Sequence, residues 1–297
     1  MKKHPVVFGF LLLVVIGVFC FLILRAVIPF ERKSASFSSK DKIGVVTIEG
    51  VLRNSKDIIE QLDKYEKDDK VKAVILRVDS PGGAVGPAQE IFDKILRLKQ
   101  SKKVIVSMGS IAASGGYYVA CAADRIIANP GTITGSIGVV IQFSQIDDLL
   151  KKIGLKTNVI KAGRYKDVGS PVRDMTADER KLIQVVIDDI HDQFVEVVVL
   201  HRNIPKEKME NIADARIFTG RQALTLGLVD ELGNMEYAID VASGLAGIKD
   251  EPEVVYPEKK RKSFLRYLTS EMITAISEEF RGNDTDVCYL YKLPGGI

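Results

Sequence analysis

Two glycine-rich turns are the places in this chain where backbone amides and a serine hydroxyl could carry out acyl transfer. The first is residues 79–83 (Asp-Ser-Pro-Gly-Gly), and the second is residues 112–116 (Ala-Ala-Ser-Gly-Gly). Consecutive glycines allow backbone shapes that leave N–H groups facing a ligand. The small residues around Ser114 allow a sharp strand–turn–helix bend, like a nucleophile elbow in which the next N–H helps to bind an oxyanion. The helix N-terminus would also stabilise developing negative charge.

Each turn has a purely structural interpretation as well. Pro-Gly-Gly is most often only a turn. A serine between alanine and glycine is also a common helix cap. The residue types alone leave both interpretations open at residues 79–83 and at Ser114.

A serine nucleophile needs a base within hydrogen-bond reach, and the candidates are few. His4 precedes an apolar N-terminal run, whereas His191 and His201 lie on different faces of one predicted helix. Lysine is the remaining option, because Ser-Lys pairs are a variant of the catalytic triad. Such a lysine must be desolvated so that its pKa falls toward working pH. Lys166 lies in the loop 162–171, although a solvated lysine is the default interpretation.

Apolar periodicity predicts the elements that position these turns. The predicted strands are 43–48, 71–78, 104–108, 125–128, 137–141 and 158–160, and the predicted helices lie near 58–65, 91–98 and 177–200. Thr176, with Glu179 three residues later, is a capping-box signature for the last helix. The alternation of strands and helices predicts an α/β fold with a largely parallel sheet, which places its sites at strand ends.

Composition excludes several classes of protein. The 297 residues carry 42 basic and 39 acidic side chains, a net charge of +3, so the concentrated basic face of a nucleic-acid-binding domain is not expected. An apolar fraction of 46% argues against low-complexity disorder. Three cysteines (Cys20, Cys121 and Cys288) without a C-x-x-C pair predict neither a disulfide framework nor a zinc site.

The N-terminus predicts an uncleaved membrane anchor within residues 1–30. Residues 6–24 carry no charge and as a helix would approach the ~30 Å thickness of a bilayer core. A cleavable signal peptide is the alternative, but the run is longer than a typical h-region. Basic residues on both flanks leave the orientation open. Residues 31–41 are polar and are predicted to be a linker.

The C-terminal part divides into a compact domain, residues 42–250, and a basic tail, residues 251–297. The tail is predicted to contain an amphipathic helix, capped by Ser263 and ended by Gly282, that could dock on a neighbouring subunit, lie on a membrane or remain solvated. Residues 287–293 are apolar and extended in character. A speculative use for them is occupancy of the chain's own groove or that of a neighbour.

Five stretches together resemble the signal peptide peptidase A family, which consists of membrane-anchored Ser-Lys peptidases related in fold to the Clp protease subunit and the crotonases. In chain order the stretches are 79–83, 113–118, 132–138, 165–171 and 218–230. The resemblance runs from about residue 42 to 247 and is to the short form of the family. It implies an α/β, crotonase/Clp protease-like core of repeated β-β-α units in a spiral, preceded by one N-terminal transmembrane helix.

The same resemblance implies a role for each matching residue. Ser114 would be the nucleophile of a serine endopeptidase, and Lys166 its general base. Ser136 would orient the lysine, while Gly83 and Gly115 would donate backbone N–H groups to the oxyanion. No metal, ATP or organic cofactor enters this scheme.

Partners and location also follow from the resemblance. It implies peptide substrates, chiefly remnant signal peptides and other apolar or unfolded chains, and a ring- or dome-shaped homo-oligomer that shares catalytic residues between subunits. The catalytic domain would lie on the extracytoplasmic side of a bacterial cell membrane. Two alternatives remain: a crotonase-like acyl-CoA enzyme, disfavoured by the anchor and Ser114, and a non-catalytic membrane scaffold, disfavoured by the presence of both Ser114 and Lys166.

Overall fold

The computed structural model describes residues 14–19, 40–257 and 288–290. The chain divides into two compact units, Met1–Ser39 and Lys40–Ile297. In the first unit residues 14–19 are helical, and the rest of the predicted anchor lies outside the described residues, as does the predicted tail helix. Among the helices of the described ranges, none has the length and apolar character needed to span a bilayer.

The second unit alternates strands with helices along most of its length. Its described strands are β1 (Lys42–Glu49), β2 (Val71–Ser80), β3 (Gly82–Ala84), β4 (Lys103–Ala113), β5 (Arg125–Ala128), β6 (Ile133–Gly135), β7 (Ile217–Thr219), β8 (Glu231–Leu232), β9 (Glu253–Val255) and β10 (Cys288–Leu290). Its described helices are α1 (Lys56–Lys67), α2 (Val85–Leu98), α3 (Gly115–Ala120), α4 (Asp147–Lys152), α5 (Ala177–Arg202), α6 (Lys206–Met209), α7 (Gly220–Leu226) and α8 (Met235–Ala246).

Eight of these strands form one sheet, in the order β7-β6-β4-β2-β1-β9, with β5 pairing with both β4 and β8. Every pair in this sheet is parallel except β6 with β7. A separate antiparallel pair joins β3 to β10. The predicted α/β fold with a largely parallel sheet is therefore confirmed.

The sheet is covered on both faces, which explains why its central strands are almost continuously apolar. On one face Ile43, Ile75 and Ile105 pack against Ala238 and Ala242 of α8. On the other, a larger apolar cluster joins β1, β2 and β4 to α1, α2, α3 and α5. This double burial fixes the carboxyl ends of β2 and β4, where both glycine-rich turns begin.

Two predicted strands are wrong. Residues 137–141 do not form a strand, because the chain turns out of β6 at Ser136, whose φ is 52°. Ile137 is fully buried but belongs to no strand, so its apolar side chain contributes to core packing and not to strand pairing. Residues 158–160 also form no strand, and Ile160 is completely exposed.

The predicted start of the long helix is confirmed. The Glu179 backbone N–H donates to the Thr176 hydroxyl at 3.2 Å, and the Glu179 carboxylate accepts from the Thr176 backbone N–H at 2.9 Å. Such a capping box satisfies two N–H groups that the first helical turn leaves without partners. It sets the point at which α5 begins, directly after the loop that carries Lys166.

Gly44 in β1 provides a test of how tightly α1 packs against the sheet. A Cβ at this position would lie 2.7 Å from the ring of Tyr65, whose hydroxyl is anchored to the carbonyls of Val45 and Val255. We expect Gly44→Ala to lower the free energy of unfolding by about 1–3 kcal/mol through overpacking. Gly244→Ala, on α8 with no atom within 4 Å of the new methyl group, should instead raise it by about 0.5–1 kcal/mol.

Urea unfolding of the two variants beside the wild type measures both changes. Equal effects of the two substitutions would contradict the packing described for Gly44.

Candidate active site

Ser114 occupies the bend between β4 and α3 in a conformation that side-chain-bearing residues rarely adopt. Its φ is 54° and its ψ is −119°. Such a backbone costs of order 1–3 kcal/mol and persists only where the surroundings enforce it. The residue is 1% exposed, and no hydrogen bond to its hydroxyl is present among the described residues. The predicted sharp strand–turn–helix bend is confirmed.

Backbone pairing on both sides holds the strained serine. Its N–H donates to the Gly135 carbonyl at 2.8 Å, which continues the parallel pairing of β4 with β6. The Thr134 hydroxyl donates to the Ala112 carbonyl at 2.7 Å within the same pairing. After the bend, the Ser114 carbonyl accepts from the Tyr118 N–H at 2.8 Å. The serine is thus fixed by the sheet before it and the helix after it.

The two glycine turns lie against each other. A Cβ added to Gly115 would lie 3.2 Å from the Gly83 nitrogen and 3.3 Å from the Gly82 Cα. A Cβ on Gly83 would lie 2.2 Å from the Leu52 carbonyl oxygen, so no side chain fits there. The structure therefore brings Gly83 and Gly115 together beside Ser114, as the sequence predicts.

Two polar residues at the end of β2 position these turns, and the sequence analysis assigned them no role. The buried Ser80 hydroxyl donates to the Gly50 carbonyl at 2.6 Å and accepts from the Gly82 N–H at 3.2 Å. The Asp79 carboxylate accepts from the Ile111 N–H at 3.1 Å, near the end of β4. The sequence did contain a signal for this positioning role, because Asp79 and Ser80 are polar residues at the end of an otherwise largely apolar strand.

Ser136 adjoins the same site through the backbone. It follows Gly135, which pairs with Ala113, and it is 5% exposed. Its φ of 52° and a 2.8 Å hydrogen bond from its N–H to the Arg216 carbonyl hold it in place. The structure thus places Ser136 next to the strand pairing that supports Ser114.

Lys166 is not buried with the other predicted site residues. It lies in a non-helical loop between α4 and α5 and is exposed. Within the described ranges, no hydrogen bond or ion pair joins its side chain to Ser114 or Ser136. Four of the five predicted site residues are therefore buried, namely Gly83, Ser114, Gly115 and Ser136, and the fifth, Lys166, is exposed.

An ion-pair network clamps the loop next to this lysine. Arg173 donates to the Asp167 carboxylate at 2.9 Å and to the Asp167 carbonyl at 3.1 Å. The same guanidinium donates two hydrogen bonds to Glu179, at 2.6 and 2.9 Å. Arg173 and then Lys161 hold the pKa of Asp167 well below its usual range. Arg173, aided by the Thr176 N–H, lowers the pKa of Glu179 to about 2.

Neither described histidine serves the buried serine. The His191 ring pairs with the Ala213 carbonyl at 2.8 Å. The His201 ring meets the Phe92 ring edge-on at 5.1 Å, and burial lowers its pKa. Both contacts are of a structural kind.

Comparison with known proteins places this site in a family. The model for peptidase family S49 matches residues 97–249, and the model for Clp protease matches residues 39–134. The chain belongs to peptidase family S49. It is thus a serine peptidase, and its α/β fold is Clp protease-like.

Individual relatives agree with the assignment. The chain is 42% identical over 234 residues to a putative protease of Synechocystis, an alignment that covers 78% of this chain and 84% of the relative. It is 38% identical over 188 residues to the putative signal peptide peptidase SppA of Enterococcus faecium, covering 63% and 55%. It is 34% identical over 234 residues to Protease 4 of Haemophilus influenzae, covering 73% of this chain and 37% of that longer one.

Gly115→Ala tests whether the space between the two glycine amides matters for this S49 peptidase. The Cβ of the alanine would lie 3.2 Å from the Gly83 nitrogen and 3.3 Å from the Gly82 Cα, a tight contact that fills the gap between the two turns. Both backbone N–H groups are kept, but the methyl group would crowd the space in front of the Gly83 N–H. We therefore expect peptide hydrolysis to fall by up to ~10²–10³, the cost of blocking one oxyanion donor, with the fold retained. Gly131→Ala, whose new methyl group meets nothing within 4 Å, is the matched control. Equal rates for both variants, measured with a fluorogenic peptide, would contradict the assignment.

The Glu179 network predicts a pH dependence of stability. Because the pKa of Glu179 is about 2 in the folded chain and ordinarily about 4.5, its carboxylate stabilises the fold above about pH 4.5. That contribution disappears as pH falls toward 2. We therefore expect Glu179→Gln to be less stable than the wild type at pH 7, with the difference closing at low pH.

Urea unfolding at several pH values measures this difference. Glu210→Gln, at an exposed position, controls for the loss of one negative charge. A difference that stays constant down to pH 2 would contradict the ion-pair explanation.

Proposed function

We propose that this S49 peptidase is a membrane-anchored endopeptidase in which Ser114 of one copy is activated by Lys166 of a second. The observation that carries the proposal is the burial of Ser114 on a strained bend beside the Gly83 and Gly115 amides. Strained backbone at a buried nucleophile is common at active sites. Because Lys166 is exposed, its side chain is free to enter the active site of a second copy, which supports a shared site.

The surface around Lys166 supports a subunit interface. Residues 146–165 expose large apolar side chains, and α4 buries none of its residues. The exposed side chains are Ile146, Leu149, Ile153, Leu155, Val159, Ile160 and Tyr165. Exposed apolar patches of this kind mark protein–protein contacts. A second copy covering the patch would also shield Lys166 from water, which favours the neutral amine that a base requires.

The chemistry proceeds through an acyl-enzyme. Neutral Lys166 Nζ accepts the proton of the Ser114 hydroxyl as Oγ attacks the substrate carbonyl carbon. The N–H groups of Gly83 and Gly115 face the resulting oxyanion. Lys166 then gives its proton to the leaving amine as the C–N bond breaks. A water molecule, deprotonated by Lys166, releases the second product and restores the Ser114 hydroxyl, while the Ser136 hydroxyl orients the amine.

The uncharged run at residues 6–24 supports a membrane anchor for the catalytic domain. Remnant signal peptides and other apolar or unfolded chains are the substrates, cleaved on the extracytoplasmic side of a bacterial membrane by a ring- or dome-shaped homo-oligomer. The site needs no metal or organic cofactor, because its nucleophile, its base and its oxyanion donors are all protein groups.

Mixing two inactive variants tests the shared site directly. Ser114→Ala and Lys166→Ala should each abolish hydrolysis of a fluorogenic peptide, because one lacks the nucleophile and the other the base. When the two are co-expressed, mixed oligomers contain sites with an intact serine and an intact lysine, so activity should return to a sizeable fraction of the wild-type rate. Lys156→Ala, an exposed lysine of the same segment, is the control and should remain active.

Each outcome has a distinct meaning. Full activity of either single variant would exclude the dyad. Inactive single variants that fail to restore activity when mixed, despite assembling together, would place both groups in one chain. No hydrolysis by the wild type would support the non-catalytic scaffold.

A further inference from the structure

The carboxylate nearest in the chain to the proposed base is that of Asp167, the residue directly after Lys166. Its side chain is only 13% exposed, although Lys166 lies on the surface. A carboxylate close to an amine favours the ammonium form, and an ammonium group cannot accept a proton. A general base at position 166 therefore requires that the charge of Asp167 be paired with other groups.

Arg173 supplies that pairing with its whole guanidinium group. Its Nε donates to the Asp167 carboxylate at 2.9 Å, and its Nη2 donates to the Asp167 carbonyl at 3.1 Å. The remaining N–H groups donate to the two Glu179 carboxylate oxygens, at 2.6 and 2.9 Å, and to the Asp174 carbonyl at 2.8 Å. These bonds use all the donors that an arginine has. The guanidinium is thus fixed between Asp167 and the first turn of α5.

Lys161 adds a second cation to the same carboxylate. Its ammonium group donates to the Asp167 carboxylate and, at 3.1 Å, to the Arg164 carbonyl, which lies two residues before Lys166. Arg173 and then Lys161 hold the pKa of Asp167 well below its usual range. Asp167 is therefore ionised throughout the pH range in which a lysine could act as a base, and its charge is already neutralised within the chain.

The other charged groups around the loop have partners of their own. Arg164 pairs with Asp178 in the first turn of α5, and the Asp174 carboxylate accepts from the Gln145 side chain at 3.0 Å. The side chain of Lys166 differs from these, because no described residue forms a hydrogen bond or an ion pair with it. The surrounding network thus pairs its own charges and leaves the lysine amine available.

We propose that Arg173 is a positioning residue of this peptidase, which holds the Asp167 carboxylate away from the adjacent Lys166 and so leaves the lysine amine free to act as the base. When Arg173 is removed, the released carboxylate pairs with the amine and keeps it protonated. This inference rests on the proposed function for the role of Lys166, whereas the effect of Arg173 on the amine can be measured without turnover.

The proposed subunit interface makes this pairing more important. A second copy on the exposed patch of residues 146–165 would exclude water from Lys166 and from Asp167 alike. Charges interact more strongly where water is excluded. An unpaired Asp167 carboxylate at the interface would then attract the ammonium form of the lysine strongly. Arg173 prevents this competition in each chain, because its contact with Asp167 is present before any assembly.

The pH dependence of peptide hydrolysis tests this role. In the wild type, kcat/KM should rise with pH as the lysine loses its proton. Arg173→Ala should move this rise to higher pH by about 1 unit, the lower end of the shift that a nearby opposite charge causes, so the rate falls about tenfold at neutral pH and recovers at alkaline pH. Asp167→Asn/Arg173→Ala should return the rise to its wild-type position, because no carboxylate is left to pair with the amine. Arg180→Ala, which removes an exposed positive charge of α5, is the control.

Chemical labelling measures the same amine without catalysis. The probe is acetic anhydride, which reacts with neutral amines, and mass spectrometry of the full-length Ser114→Ala protein gives the rate at which Lys166 is acetylated. We expect Arg173→Ala to lower that rate about tenfold at neutral pH relative to Lys156, an exposed lysine that serves as the internal standard. Adding Asp167→Asn should restore the rate.

A second background separates this effect from a loss of stability. Arg173→Ala leaves the buried Glu179 carboxylate without its guanidinium partner, and an unpaired buried charge lowers stability. Each variant is therefore also made with Glu179→Gln, which removes that charge and keeps a residue suited to a capping box. The shift in pH dependence and the fall in labelling should persist in this background, since both arise from Asp167.

Several results would overturn the inference. An Arg173→Ala protein whose pH dependence and labelling match the wild type would show that the arginine does not affect the amine. An equal shift in Arg180→Ala, or a shift that Asp167→Asn does not reverse, would remove Asp167 from the explanation. If labelling of Lys166 changes as expected but no protein hydrolyses any peptide, the role of Arg173 stands and the proposed function fails. Hydrolysis that requires Lys166 but is unaffected by Arg173→Ala would keep the proposed function and exclude the inference.

Discussion

The positive φ of Ser114 is the constraint on which the site depends, because the strained bend brings the end of β4 against the glycine turn after β2. The sheet enforces this strain through the pairing of β4 with β6, and the N–H of Ser114 continues that pairing. Asp79 and Ser80 then fix the two turns relative to each other. A buried parallel sheet can hold such a conformation because its strands are covered on both faces.

The lysine belongs to a different kind of structure. Lys166 lies on an exposed segment that is anchored at its end by the Arg173–Glu179 clamp and the start of α5. Ser114 and the glycine amides are thus built into the core, while Lys166 is carried on an exposed surface. Under the proposed function, this separation gives a reason for the peptidase to assemble, because an isolated chain would hold the proposed nucleophile without its proposed base.

Sequence reasoning predicted the α/β fold, the two glycine turns and the start of α5, because apolar runs, Gly-Gly pairs and the capping box are local signals. It was wrong for residues 137–141, where only Val140 makes an isolated β-bridge, to Cys288, and for residues 158–160, where Ile160 is exposed on the surface. The packing of Tyr289 against Tyr118 and Phe194 could not be predicted, since these three residues are distant in the chain. The roles of Ser136 and Lys166 remain predictions.

Gly82, Gly83 and Gly115 present only main-chain atoms beside Ser114, and this has a consequence for mutational studies. Truncating neighbouring side chains leaves every peptide amide in place, so alanine scanning cannot delete this part of the site. Its contribution becomes visible only when bulk is added at a glycine, or when an amide is replaced by an ester through chemical synthesis. Random mutagenesis would therefore point to the serine and the lysine and understate the backbone between them.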